Sequence, residues 1–330
     1  MVQQTTERGV APAGGPVDFV SGAPGAGSLD VVWRSGTGSA RRRRRDGGEP
    51  PIQVHPYDEH TVILRQSKSL SYEAPFLYLL FGNERALLLD TGATAEAEAF
   101  PLRETVDGLI AEWLRAHPRE EYGLVVAHSH GHGDHVAADP QFAGRPSTTV
   151  VPREAGAVRE FFGLDAERPE ATATFDLGGR VLEVLYSPGH HEAAITFHDP
   201  WTGVLLTGDT VLPGRLFAFD AAAFLATMER LVAFAATHPV THVLGCHVEM
   251  KRRPGRDYPI GADHQPRERP LPLTAAHLTA IRDAAAAALD SPGVHRHPDF
   301  VLYSQPTERD LARLLRRGRT HKRLRALTAR

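Results

Sequence analysis

One cysteine, Cys246, stands in a chain of 330 residues. No intrachain disulfide is therefore available, and the chain suits a reducing compartment. Long apolar runs are missing too: none reaches the roughly 18 residues that a membrane span needs, so no membrane partner is expected. The first 27 residues are glycine, alanine and proline-rich without a continuous apolar stretch. That pattern predicts no secretory leader and hence a cytoplasmic protein. Net charge is scarce as well. Lys and Arg number 37 against 40 Asp and Glu, a formal −3, which removes any global electrostatic reason to bind nucleic acid. No internal repeat is visible.

Two segments depart from this balance. Arg41 to Arg45 form an unbroken basic run, and the stretch from Thr307 to Arg330 is dense in arginine. Neither interleaves aromatic residues with its arginines, as a base-stacking surface does. Both read as a solvated linker or helix face.

The hydrophobic content of 42% is ample for a core, and the length predicts one main domain with extensions. Residues 1–50 read as a flexible arm with a candidate edge strand at Leu29 to Trp33. Residues 51–250 read as the catalytic domain, and 251–330 as a lid-like loop followed by a helical extension. Strand-like runs fall at 61–65, 76–81, 86–90, 123–127, 148–151, 180–186, 194–199, 203–207 and 242–245. Apolar spacing predicts helices at 104–116, from Pro152, at 221–236 behind the candidate N-cap Asp220, and at 274–289.

The most informative segment is AHSHGHGDHV, residues 127–136. It packs His130, His132, Asp134 and His135 into one glycine-interrupted turn directly after the apolar run Leu124 to Ala127. Imidazole and carboxylate are the ligand set for zinc, iron or manganese. The same grammar recurs downstream, an apolar run and then a Gly-containing turn with a ligand-type residue. It delivers His190 in SPGHH, Asp209 in GVLLTGDTV and His247 in HVLGCHVE, and upstream it delivers Asp90 in ALLLDTGA. Ligands at strand ends are held by the sheet behind them, which suits a preorganised site.

H-x-H-x-D-H followed by separate His, Asp and His turns, with D-T-G upstream, resembles the metallo-β-lactamase-fold hydrolase superfamily over residues 52–250. The resemblance implies an α/β fold, an αββα sandwich of two mixed sheets flanked by helices. It implies two divalent metal ions, zinc first, with manganese and iron compatible. One ion falls to His130, His132 and His190, the other to Asp134, His135 and His247, and Asp209 bridges them. A hydroxide between the ions is then the nucleophile, since bound metal lowers the pKa of water towards about 7. Asp134 and Asp209 are the expected catalytic carboxylates, Asp134 also as proton acceptor. Asp90 and His128 are expected behind the ligands, orienting them. His128, His191 and His198 sit beside the motifs but out of register, and Cys246 reads as packing.

A bridging Asp209 resembles hydroxyacylglutathione hydrolases, lactonases and phosphodiesterases of the superfamily rather than β-lactamases. GCHV replaces the more frequent PGHG, and no counterpart of the glutathione-binding residues is found. The expectation is therefore a small ester, lactone or thioester substrate, not nucleic acid. Two alternatives stand beside it: a mononuclear iron sulfur dioxygenase, and a phosphodiesterase or nuclease of the same fold. The polar, proline-rich segment after His247 reads as a lid, with Tyr258, His264 and Arg267 as candidate substrate contacts. Sequence says nothing about oligomeric state.

Overall fold

In the computed structural model, residues 15–20, 25–36, 48–165, 168 and 171–328 are described. The run Arg41 to Arg45 and much of the expected arm lie outside the described residues. Leu29 to Trp33 is described but forms no strand.

Two sheets face each other. The first has six strands in sequence order: β1 (Ile52–Asp58), β2 (Thr61–Gln66), β3 (Phe76–Phe81), β4 (Arg85–Leu89), β5 (Gly123–Ala127) and β6 (Thr148–Val150). Its first four strands pair antiparallel, and β4, β5 and β6 pair parallel. The second sheet runs β12-β10-β9-β8-β7, formed by β7 (Ala173–Asp176), β8 (Val181–Tyr186), β9 (Ile195–Asp199), β10 (Val204–Gly208) and β12 (His242–Gly245). There β10 and β12 are parallel and the other pairs antiparallel. Helix α1 (Leu102–Ala116) covers the outside of the first sheet, and α4 (Ala221–Thr237) with α5 (Ala275–Ala288) covers the second.

The layering follows from strand periodicity. Successive side chains of a strand point to opposite faces. In β3, Tyr78 and Leu80 enter the layer between the sheets, against Leu182, Val184, Phe197 and Leu206. Leu77 and Leu79 point outward against Val106, Ile110 and Trp113 of α1. Every residue of β3 is buried, as expected for a strand covered on both faces. Each fully buried leucine there contributes about 1.5–3 kcal/mol. A buried ion pair ties the sheets at one end. Arg180 and Asp199, each 1% exposed, meet at 2.6 Å, and Arg180 also donates to the carbonyls of His60 and Phe81.

The chain beyond residue 250 contains strands as well as helices. β13 (Gly293–Arg296) and β14 (Val301–Ser304) join β11 (Arg215–Ala218) in a third sheet, β11-β14-β13. β14 pairs parallel with β11, so residues on both sides of 250 share one sheet. The arginine-rich tail forms α6 (Glu308–Thr328). Its Gly318 packs so closely on Ile260 that a Cβ there would lie 2.5 Å from the Ile260 carbonyl oxygen. Short helices α2 (Gly133–Val136) and α3 (Ala155–Phe162) and a 3-10 turn at Asp139–Phe142 complete the described set. α3 starts at Ala155 rather than Pro152, because residues 151–153 extend past the end of β6. Among the described residues, no helix is long and apolar enough to cross a membrane.

Candidate metal centre

Five loops leave one end of the sandwich. They follow β4, β5, β8, β10 and β12, whose carboxyl ends point the same way within each sheet. Asp90, the His130–His135 turn, His190, Asp209 and His247 ride on them in that order. Tight backbone places two of these residues. Gly208, at φ 53°, precedes Asp209, and a Cβ on it would lie 2.5 Å from the Ser129 Cβ. Gly189, at φ 129°, lets the His190 loop sit against the Phe224 backbone. A side-chain-bearing residue strains both conformations.

Ligand-type atoms converge in two groups joined by one carboxylate. His132 Nδ1 lies 2.9 Å from His130 Nε2 and 3.1 Å from His190 Nε2. His247 Nε2 lies 3.4 Å from His135 Nε2 and 3.3 Å from Asp134 Oδ2. Asp209 divides its oxygens between them. Oδ1 stands 3.4 Å from His247 Nε2 and 3.7 Å from His135 Nε2, while Oδ2 stands 3.8 Å from His190 Nε2.

Hydrogen bonds on the far side of the rings orient the lone pairs. Nδ1 of His190 donates to the Phe217 carbonyl, that of His247 to the Glu73 carbonyl, and that of His135 to Asp90 Oδ2. A neutral ring that donates from Nδ1 presents a bare Nε2. His132 Nδ1 faces the bare Nε2 of His190 and the Nε2 of His130 and carries at most one proton, so the three nitrogens do not all satisfy one another by hydrogen bonds. Burial, before the neighbouring histidine charges, holds His130 well below its usual pKa and lowers His132 too. Asp209 Oδ1 is buried without a hydrogen-bond donor. Imidazole nitrogens that do not all satisfy one another and an undonated carboxylate oxygen fit divalent cations, so the residues present suit the group.

The second group is more strongly charged. Burial opposes protonation of His135, but Asp90 and Asp209 outweigh it and raise the ring well above its usual value. His247 is likewise raised against burial by Asp209 and Asp134, to about 9. Burial alone would lift Asp134, yet His247 and His135 bring it down to about 2. The same carboxylates that favour a proton on these rings favour a cation in its place, so metal uptake releases protons.

Of the two residues expected behind the ligands, Asp90 contacts one of them and His128 contacts none. Asp90, in the left-handed region at φ 68°, accepts from Ser129 N at 2.7 Å and from Ser129 Oγ and His135 Nδ1 at 2.9 Å. Cys246 Sγ donates to it at 3.0 Å. Burial, then the Asp90 charge, pushes that thiol well above its usual pKa, so it is a protonated donor and not a ligand. His128 points away from the cluster, to Asp139 at 2.8 Å. His198 joins Glu183 and the Pro239 carbonyl, and His191 accepts from Ala193 N. A further grouping, Glu59, His60 and His117, also brings ligand-type atoms within 4.8 Å. The Trp113 indole N–H donates to His60 Nδ1. That puts the proton of the neutral ring on Nε2 and leaves no lone pair for an ion.

A cavity of about 200 Å³ opens on the ligands. Leu212, Phe217, Phe219 and Ile260 form its apolar wall, and Glu73, Arg215 and Glu249 its polar one. Arg215 meets Glu249, Asp257 and the Tyr258 carbonyl, while its Nε is buried without an acceptor among the described residues. Tyr258, His264 and Arg267, the candidate substrate contacts, do not line this cavity. The Tyr258 hydroxyl turns away to accept from Arg267 N, His264 donates to the Gly36 carbonyl, and Arg267 borders a different cavity. The segment after His247 reaches the metal cavity through Ile260 instead. Glu73, Arg215 and the phenylalanines carry no ligand motif and were not found from sequence. Glu249 follows His247 by two residues in the same loop.

The chain is similar to known proteins in sequence. The chain is 30% identical over 151 residues to a hydroxyacylglutathione hydrolase of Rhizobium meliloti (strain 1021), an alignment covering 43% of this chain and 54% of that enzyme. It is 27% identical over 245 residues to a hydroxyacylglutathione hydrolase of Anaeromyxobacter dehalogenans (strain 2CP-C), covering 66% and 84%. The chain thus spans about half the length of the Rhizobium enzyme. The solved structure of the DIM-1 metallo-beta-lactamase overlays 72% of this chain and 98% of its own at 14% identity, with a TM-score of 0.46. The sequence pattern of the metallo-beta-lactamase superfamily matches residues 73–237, half of the chain. With two mixed sheets, flanking helices and the histidine and aspartate turns at one end, this chain belongs to the metallo-beta-lactamase superfamily.

Proposed function

We propose that this chain is a hydrolase that uses two divalent metal ions, zinc first, to cleave an ester, lactone or thioester bond of a small molecule. His130, His132 and His190 would hold one ion, Asp134, His135 and His247 the other, and Asp209 both. The division of the Asp209 oxygens between the two histidine groups carries the reading. Bound metal supplies Lewis-acid polarisation of the scissile carbonyl and acidification of water.

The chain's own residues do the rest. Asp134 is a ligand-type carboxylate that remains partly exposed, so it also serves to accept and pass on a proton. Leu212, Phe217, Phe219 and Ile260 hold an apolar acyl portion and exclude water from that side. Substrate size is bounded by the cavity, which lies below the roughly 300–1,000 Å³ of drug-sized pockets. The one cation in its wall, Arg215, is already neutralised by Glu249 and Asp257. An anionic tripeptide such as glutathione finds no free positive group there. The relatives' name favours a thioester, and the wall favours a small acyl group without the glutathione.

Metal quantification on purified protein, then a panel of thioesters, lactones, phosphodiesters and β-lactams, tests the reading. Two metals per chain and turnover of a small thioester or lactone are expected. One iron per chain with oxygen consumption would replace it with a sulfur dioxygenase. His132→Ala and Asp209→Ala should each abolish turnover; activity surviving both refutes the assignment.

A further inference from the structure

Residues 247–249 separate two cavities. His247 and Glu249 line the metal cavity, and Val248 between them lines the other, about 340 Å³ in volume. Small-molecule pockets begin near this size, at roughly 300 Å³. The segment Leu29 to Ser35 forms one side of it and residues 266–272 the other. The extended segment is held by side chains rather than by a strand ladder. Gln53 bonds the backbone of Val32 and Arg34, and Trp33 stands edge-on to Phe76 at 5.0 Å.

The chemistry of this second cavity is lopsided. Trp33, Phe76, Leu29 and Leu271 supply an apolar floor. At the polar end Arg65, 1% exposed at the side chain, meets the carboxylate of Glu268, which the buried Lys68 also faces from outside the cavity lining. Arg65 meets it with two bonds of 2.7 and 2.8 Å, and Lys68 stands 3.6 Å away. Arg65 Nε is buried without an acceptor among the described residues. Arg252 and Arg267 also line the cavity; Arg252 Nε donates to the Glu268 carbonyl, and among the described residues no carboxylate pairs with either guanidinium. Arg65, Arg252, Arg267 and Arg269 line the cavity with one carboxylate, Glu268, and of the four Arg269 is matched outside it by Asp299. Guanidinium groups above an aromatic floor suit a planar anion bearing an apolar body.

We propose that this cavity is a second ligand site, for a small amphiphilic monoanion such as a medium-chain carboxylate. Its anionic head sits between Arg252 and Arg267, and its apolar tail lies against Trp33 and Phe76. The site is independent of the reaction assigned to the metal cavity. It also gives Arg267, which the sequence marks within a lid-like segment, a place of its own.

Octanoate, octan-1-ol and octylammonium titrated into the metal-loaded full chain test the proposal, by calorimetry and by tryptophan emission. Octanoate should bind one per chain and change emission, and Trp33→Phe should remove the emission change. The double variant Arg252→Gln/Arg267→Gln touches two exposed side chains, so it should fold normally and bind octanoate about tenfold more weakly or worse. Octan-1-ol and octylammonium should bind at least about tenfold more weakly than octanoate. Equal binding of the three probes overturns the proposal. So does octanoate binding that is unchanged in the arginine variant, or that vanishes on metal chelation, which would place it on the metal centre instead. Octanoate bound only as micelles or by added anionic vesicles overturns it in favour of a lipid surface.

Discussion

Replacing Asp90 by asparagine changes one atom and should disable half of the metal centre. Asp90 Oδ1 accepts from the Ser129 N–H, so the amide of Asp90→Asn keeps its carbonyl there. The amide nitrogen then occupies the Oδ2 position, 2.9 Å from His135 Nδ1 and from Ser129 Oγ and 3.0 Å from Cys246 Sγ. Two N–H groups now face a ring nitrogen that was itself a donor. His135 keeps a bond only by moving its proton to Nε2, the atom 3.4 Å from His247 Nε2 and 3.7 Å from Asp209 Oδ1. That proton occupies the lone pair an ion needs. Loss of such an orienting partner typically costs 10–100-fold in metal affinity, about 1.4–2.8 kcal/mol. The lost charged hydrogen bond costs about 1.5–3 kcal/mol of stability besides. Competition with a chromophoric chelator should show one tight and one weakened ion. Asp139→Asn is the control, because Asp139 engages His128 and Thr91, which are not ligands; it should keep both ions. Two ions bound to Asp90→Asn at the unaltered affinity would refute the tautomer argument.

Lys68 is buried against Arg65, which with desolvation lowers its pKa from 10.5 to about 8. A depressed lysine costs stability fully below pH 8 and returns it as pH rises towards 10.5. Lys68→Met should therefore be more stable at pH 7, on the order of 2–3 kcal/mol, and the advantage should vanish by pH 10.5 in urea titrations. Asp199 is held below the usual carboxylate range, against burial, chiefly by Arg180. Its stabilisation is complete above about pH 4 and disappears as pH falls through the depressed value; Arg180→Ala should lose about 3–5 kcal/mol at neutral pH. Gly208→Ala, with its Cβ 2.5 Å from Ser129, should lower the melting temperature and displace Asp209, reducing metal content as well.

The two sheets without their edge strands β1 and β7, the outer helices and the seven clustered residues were legible because each is written locally. Strands covered on both faces read as apolar runs, and turn glycines mark where side chains exit. Position in space is not local, and there the reading thinned. β11, β13 and β14 are four residues each, too short for periodicity to separate them from loop, and β11 and β14 pair across more than eighty positions. Tyr258, His264 and Arg267 fall in the segment that does approach the metal cavity, but their side chains follow bonds to residues 36 and 267 and a cavity that no pattern announces. Glu73 and Arg215 carry no motif at all; only folding brings them to the ligands.

Among the described residues, the wall strand β11 is flanked by no other strand than β14. Arg215 and Phe217, which shape the reaction chamber, therefore depend on a segment some eighty-six residues later, at Val301 and Tyr303. From behind, Arg317 of α6 grips Asp257 at 2.7 Å, and Asp257 in turn meets Arg215. Trimming the tail would thus leave every coordinating group in place while letting one side of the chamber sag. The shape of that cavity can drift through mutations that never come near the clustered ligands, and a shortened version of the protein would have a different cavity rather than a smaller fold.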